Sequence, residues 1–142
     1  MKASHPKADH QLMEASLLAL ADSYDGMAGE LFERFMAAHP HYAHAFINPE
    51  AAQERMTRET LEVMIGLAAG EYWVETTVTD FVDLHHNYAA FTPEDYTNWF
   101  ALVIEVMANR AGAAWPKGAG ATWQVYADKL VKMVIVAEAS RN

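Results

Sequence analysis

The chain has 142 residues, the size of one domain that buries roughly two thirds of the surface its unfolded form exposes. Ten Lys and Arg against nineteen Asp and Glu give a net charge of −9, which repels phosphate backbones and anionic lipid, so neither nucleic acid nor a membrane is an expected partner. The absence of cysteine excludes disulfides, thiolate metal sites, iron–sulfur clusters and thioether-linked cofactors.

The opening residues MKASHPKADH lack the apolar run of a signal peptide, and no stretch approaches eighteen apolar residues, so a cytoplasmic location is expected. Few segments read as strands, and amphipathic helical patterns recur between Gly and Pro punctuation. The expected class is all-α, as one domain over residues 1–142. A first helix is expected from an N-cap at Asp9, burying Leu12, Ala15 and Ala19 with Leu17 and Leu20 alongside, and ending before Asp25-Gly26. A second runs from about Tyr24 to Ala38, with Met27, Leu31, Phe35 and the neighbouring Ala28, Phe32 and Met36 on its apolar side. Pro40 suits the first turn of a short helix, where its missing N–H would have had no partner. His39, His41 and His44 around that proline have no recognised ligand spacing and read as solvated surface.

Asn48-Pro49 starts a long helix through about Ala69, stopped by Gly70, with Met56, Thr60, Val63, Met64 and Leu67 on one face. The next helix lies within Glu71–Asn87, where Val78, Phe81, Val82 and His85 fall at i, i+3, i+4 and i+7. A neutral imidazole in such an apolar wall is one of the few ways a protein holds a haem iron from one side. The alternative is a core histidine hydrogen-bonded to a neighbour. Thr92-Pro93-Glu94-Asp95 is a compact helix start: a threonine cap, proline first, and acids in the first turn. That helix continues through Trp99, Phe100, Val103 and Val106 toward Asn109. A Gly/Ala-rich turn at Gly112–Gly120 then leads to a last helix, about Ala121–Ala139, with Trp123, Tyr126, Leu130 and Val134 inward.

Three stretches, LFERFMAAHPHYAHAF (31–46), VTDFVDLHHNYAAFTPEDY (78–96) and ATWQVYADKLVKM (121–133), together resemble a bacterial globin of the single-domain and flavohaemoglobin type. The likeness runs from about Leu12 to Val136. It implies a globin fold of about seven to eight helices around one haem b. The implied activity is reversible binding of a diatomic gas, O₂, NO or CO, at iron held by a proximal histidine. His85 fits that role by its apolar stripe and by Tyr88 three residues later. His86 is the alternative, because relatives often place ten residues between this histidine and the tyrosine at Tyr96.

The resemblance also furnishes the pocket. Phe46, six residues after Pro40, would lie flat against the haem, and Phe32 stands where flavohaemoglobins carry a distal tyrosine. Met56, 29 residues before His85, takes the distal gate, with Thr60 one turn deeper; a shift of one residue would put Thr57 and Leu61 there and bury Glu62. Phe81, Phe91, Tyr96 and Trp99 complete the expected pocket, with Tyr96 as a hydrogen-bond partner on the proximal side. Phe32 and Met56 donate no hydrogen bond, which removes the support a nitric oxide dioxygenase has there and leaves Thr60 and Trp99 as donors. Met56 is also a candidate sixth ligand through its thioether. Glu138 falls near, not at, the position of the glutamate that pairs with the tyrosine in a peroxidase-like network. There is no flavin motif, so redox turnover would draw on an external reductase. Two other functions fit the pattern: a haem-based gas or redox sensor acting through a partner protein, and an electron-transfer protein ligated by His85 and Met56.

Overall fold

A computed structural model describes residues 6–45, 49–86 and 91–140. Every regular element among them is helical: α1 Pro6–Leu20, α2 Met27–Ala38, α3 Pro49–Ala68, α4 Val74–His86, α5 Pro93–Ala111 and α6 Ala119–Ala139. Short 3₁₀ turns at Ala21–Ser23, Pro40–Ala45 and Gly112–Ala114 make the corners. The described residues thus hold six α-helices, with i→i+3 turns at these corners. None of the described helices is long and apolar enough to cross a membrane.

The first helix departs from its expected face. It begins at Pro6, a residue suited to a first turn, and Asp9 is inside it, accepting a hydrogen bond from the Tyr126 hydroxyl of α6 at 2.7 Å. Its buried side chains are Met13, Ser16 and Leu20; Leu12, Leu17 and Ala19 are half-buried and Ala15 is exposed. Ser16 tolerates burial because its hydroxyl donates to the Met13 carbonyl at 2.6 Å and accepts from the Trp123 indole at 2.7 Å.

The second helix begins at Met27 rather than Tyr24. Gly26 caps it at φ +85°, a left-handed conformation that glycine adopts without a Cβ penalty. Helix α3 ends in the pair of bonds that marks a left-handed stop: Glu71 N–H to the Gly66 carbonyl at 2.9 Å and Gly70 N–H to the Leu67 carbonyl at 3.1 Å. The turn to α4 is close, and the Trp73 indole fills the space beside Gly66 that any Cβ would take.

Helix α5 starts as its sequence directs. Thr92 Oγ1 accepts from the Asp95 backbone N–H at 3.3 Å, and Asp95 Oδ2 accepts from the Thr92 N–H at 2.8 Å, a reciprocal cap with Pro93 behind it. Both α4 and α5 pack on α6, while α2 packs on α3 and α5. Met13, Leu31, Met64, Val103, Met107, Trp123 and Leu130 are fully enclosed between them. Each such Leu, Met or Val contributes about 1.5–3 kcal/mol by leaving water. Arg110 at the end of α5 closes the α1–α2 corner, bonding Glu30 at 2.8 Å and the Ser23 and Asp25 carbonyls at 2.9 Å.

Candidate cofactor site between α3, α4 and α5

Val78 and Val82 anchor α4 in the core, and the same side of the helix turns Phe81 and His85 toward a cavity of about 290 Å³. Phe32, Phe35 and Met36 of α2 close one side, and Ala52, Met56 and Thr60 of α3 another. Tyr96, Trp99 and Phe100 of α5, with Phe91 just before it, supply the rest of the wall. Charged groups at its boundary are few: Arg55, Glu59 and Asp95.

The His85 Nδ1 lies 2.9 Å from the Tyr96 hydroxyl. Its ring centre is 5.2 Å from that of Phe91 and 6.2 Å from that of Phe81. Burial among these rings, assisted by the positive charge of Arg55, pushes the imidazole pKa down to about 4. The ring is therefore neutral at pH 7, with one nitrogen a donor and the other a lone pair. Burial also raises the Tyr96 phenol, with the charges of Glu138 and Asp95 adding to it, so the hydroxyl keeps its proton. In the tautomer where Nδ1–H donates to Tyr96, Nε2 carries the free lone pair that a metal requires.

Across the cavity, the donors expected to serve a ligand are already engaged. Trp99 Nε1 donates to Thr60 Oγ1 at 2.9 Å, and Thr60 Oγ1 in turn donates to the Met56 carbonyl at 2.7 Å. Phe32 and Phe35 both meet Trp99 edge-on, with centroids 5.7 and 5.5 Å away. Beside them Phe32, Phe35, Met36 and Met56 give this part of the wall its apolar surface. Of the two registers the sequence allowed, Met56 and Thr60 line the cavity, whereas Thr57 and Leu61 point into the core and Glu62 stays exposed.

Beneath Phe91 lies a polar knot with no sequence signal beyond its cap. Tyr42 donates to Asp95 Oδ2 at 2.5 Å, its ring lies 4.3 Å from Phe91, and His39 Nδ1 is 3.8 Å from Asp95 Oδ1. Burial alone would raise the Asp95 carboxyl, but the Thr92 backbone, the Tyr42 and Thr92 hydroxyls and the nearby His39 bring it below its usual value. Burial, the hydrogen bond to Asp95 and that carboxylate's charge push the Tyr42 phenol up to about 12. His39 is not solvated surface: it is half-buried, with its ring 4.4 Å from Phe35. His41 is exposed, 4.1 Å from the Tyr42 ring, and the side chain of His44 lies outside the described residues.

The fold thus brings Phe32, Met56, Thr60, Phe81, His85, Phe91, Tyr96 and Trp99 to one cavity. Phe46 and Tyr88 lie outside the described residues, and His86 is exposed and not part of the wall. Glu138 reaches Tyr96 by its charge without a hydrogen bond to it. Sequence reasoning missed Phe35, Tyr42 and Arg55 as neighbours of the site; only Phe35 carried a signal, as part of the α2 stripe. Among the described residues no group of three or more His, Asp and Glu is placed to hold a metal by itself. No protein-family model matches the chain, and no curated protein or solved structure matches it either.

Proposed function

We propose that the protein is a globin that binds a b-type haem in this cavity, with His85 as the proximal ligand, and takes up a diatomic gas on the opposite side. The observation that carries the reading is the neutral His85 imidazole, held at Nδ1 by Tyr96 at 2.9 Å inside an aromatic chamber. The residues fit the group in two respects. A single imidazole with no acid or histidine cluster beside it suits a metal whose other donors come from a macrocycle. Flat aromatic walls suit a flat ring system.

Bound haem supplies an iron with a coordination position open to O₂, NO or CO. His85 would hold the metal, Tyr96 would fix the imidazole orientation and tautomer, and Phe81 and Phe91 would keep water from the imidazole. Because Trp99 and Thr60 direct their hydrogens to protein acceptors, neither offers a gas a donor. NO and CO, which need none, match this wall better than O₂, and a nitric oxide dioxygenase activity has little support here. Electrons would come from an external reductase, and a cytoplasmic setting is part of the reading.

Reconstitution with haemin tests it. A Soret band, and a shifted band when CO is added to the ferrous protein, are expected; protein that takes up no haemin overturns the proposal. His85→Ala is expected to lose the haem or its normal coordination while His86→Ala retains both. Met56 lines the same cavity as His85, which favours one second reading, an electron-transfer haem ligated by both. A six-coordinate low-spin spectrum of the ferrous protein without added gas would select it.

A further inference from the structure

We infer that the ligand of this cavity carries a carboxylate and that Arg55, at the cavity mouth, is the residue that receives it. Arg34 lies 2.9 Å from Glu105, Arg58 3.7 Å from Glu62 and Arg110 2.8 Å from Glu30. Arg55 differs from these three: among the described residues no carboxylate lies within the 4.0 Å of an ion pair, although acids outnumber bases almost two to one in the chain. Glu59 stands one turn further along the same rim and still does not close on it. The third charged group of the lining, Asp95, is engaged by Thr92 and Tyr42.

Arg55 is exposed yet lines the apolar chamber, the placement in which an arginine covers apolar wall with its methylene stem and keeps its guanidinium in water. A planar fork of donors with no internal acceptor, set over an aromatic cavity, is complementary to a carboxylate on an apolar body. Two ligands share that chemistry. One is haem, whose propionates are carboxylates on a flat apolar ring; this form of the inference rests on the function proposed above. The other is a free long-chain acid, which needs no haem.

The test titrates haemin and haemin dimethyl ester into the wild type, Arg55→Gln and Arg55→Lys, read by Soret absorbance, and laurate into the haem-free proteins, read by tryptophan fluorescence. The wild type is expected to prefer haemin over its ester by up to about fivefold, the size of a solvent-exposed ion pair. Arg55→Gln should erase that preference and Arg55→Lys restore part of it. Laurate binding that depends on Arg55, without any Soret band, sustains the carboxylate site and removes the haem reading. Equal binding of haemin and ester by the wild type, with laurate unaffected by Arg55→Gln, overturns the carboxylate site and leaves the haem reading standing. If the wild type binds neither haemin nor laurate, both fall.

Discussion

The Nδ1 of His85 and the hydroxyl of Tyr96 meet at 2.9 Å, tying the last turn of α4 to the first turn of α5 across eleven residues of chain. A donor at Nδ1 makes the opposite nitrogen a stronger ligand, which stabilises the higher oxidation state of a metal bound there. Tyr96→Phe is therefore expected to raise the midpoint potential of the haemin-loaded protein and to cost about 1 kcal/mol of stability. Spectroelectrochemical titration reads the potential. An unchanged or lower value would mean that Nδ1 does not donate to Tyr96.

Acid should weaken the haem-free protein through the same imidazole. The folded protein holds His85 down to about 4, whereas an unfolded histidine titrates near 6.5. The unfolded chain takes the proton first, so the stability His85 contributes is complete above pH 6.5 and is lost as pH falls toward 4. At pH 4.5 the loss is on the order of 2–3 kcal/mol. Asp95, held below its ordinary value, adds a loss of the same sign at still lower pH. Urea unfolding at pH 7 and 4.5 should show the sensitivity shrink in His85→Leu; equal slopes in the two proteins would refute the assignment.

Legibility in the sequence followed the range of the contacts. The start of α5 was readable because Thr92, Pro93 and Asp95 settle it within four residues. The face of α1 was not, because burial of Ser16 depends on Trp123, 107 residues away. The 3.6-residue pattern of α3 permitted two registers, and only packing on its neighbours decides that Met56 and Thr60 meet the cavity while Thr57 enters the core. The contact of Tyr42 with Asp95 spans 53 residues and leaves no local trace. The pocket residues were reached through the resemblance, which supplied their positions in the chain but not the arginine at the mouth.

Thr57 is fully buried, and its hydroxyl is the one side-chain polar atom among the described residues that is enclosed without a hydrogen-bond partner. An unmade bond costs more than its absence gains, so replacing the hydroxyl by a methyl should help. Thr57→Val is expected to stabilise the protein by about 1 kcal/mol, seen as a higher urea midpoint with the same slope. Destabilisation instead would show that the hydroxyl has a partner, such as an enclosed water.

Tyr42 and Asp95 form a charge-assisted pair beneath Phe91. Removing the phenol in Tyr42→Phe is expected to cost about 1.5–3 kcal/mol, the range for a hydrogen bond to an ionised group. Asp95→Asn also disturbs the helix cap, so the two losses share one interaction and should not add. A double-mutant cycle by urea unfolding measures the sharing, and strictly additive losses would mean the two side chains do not act together.

Two glycines inside helices should respond to alanine in opposite directions. At Gly29 of α2 an added Cβ meets nothing within 4 Å, so Gly29→Ala should gain up to about 1 kcal/mol of helix stability. At Gly66 of α3 the same Cβ would fall 2.7 Å from the Trp73 Cη2 and 3.0 Å from a Val74 methyl, and Val74 is only 2 % exposed. The indole would have to leave its place against α3, opening the α3–α4 turn that sets the angle at which α4 delivers His85. Gly66→Ala is therefore expected to lose about 1–3 kcal/mol net despite the better helix former, lowering the melting temperature by about 2–4 °C per kcal/mol. Calorimetry of the two variants side by side provides the check: a Gly66→Ala protein that melts no lower than the wild type would mean that Trp73 does not pack against α3.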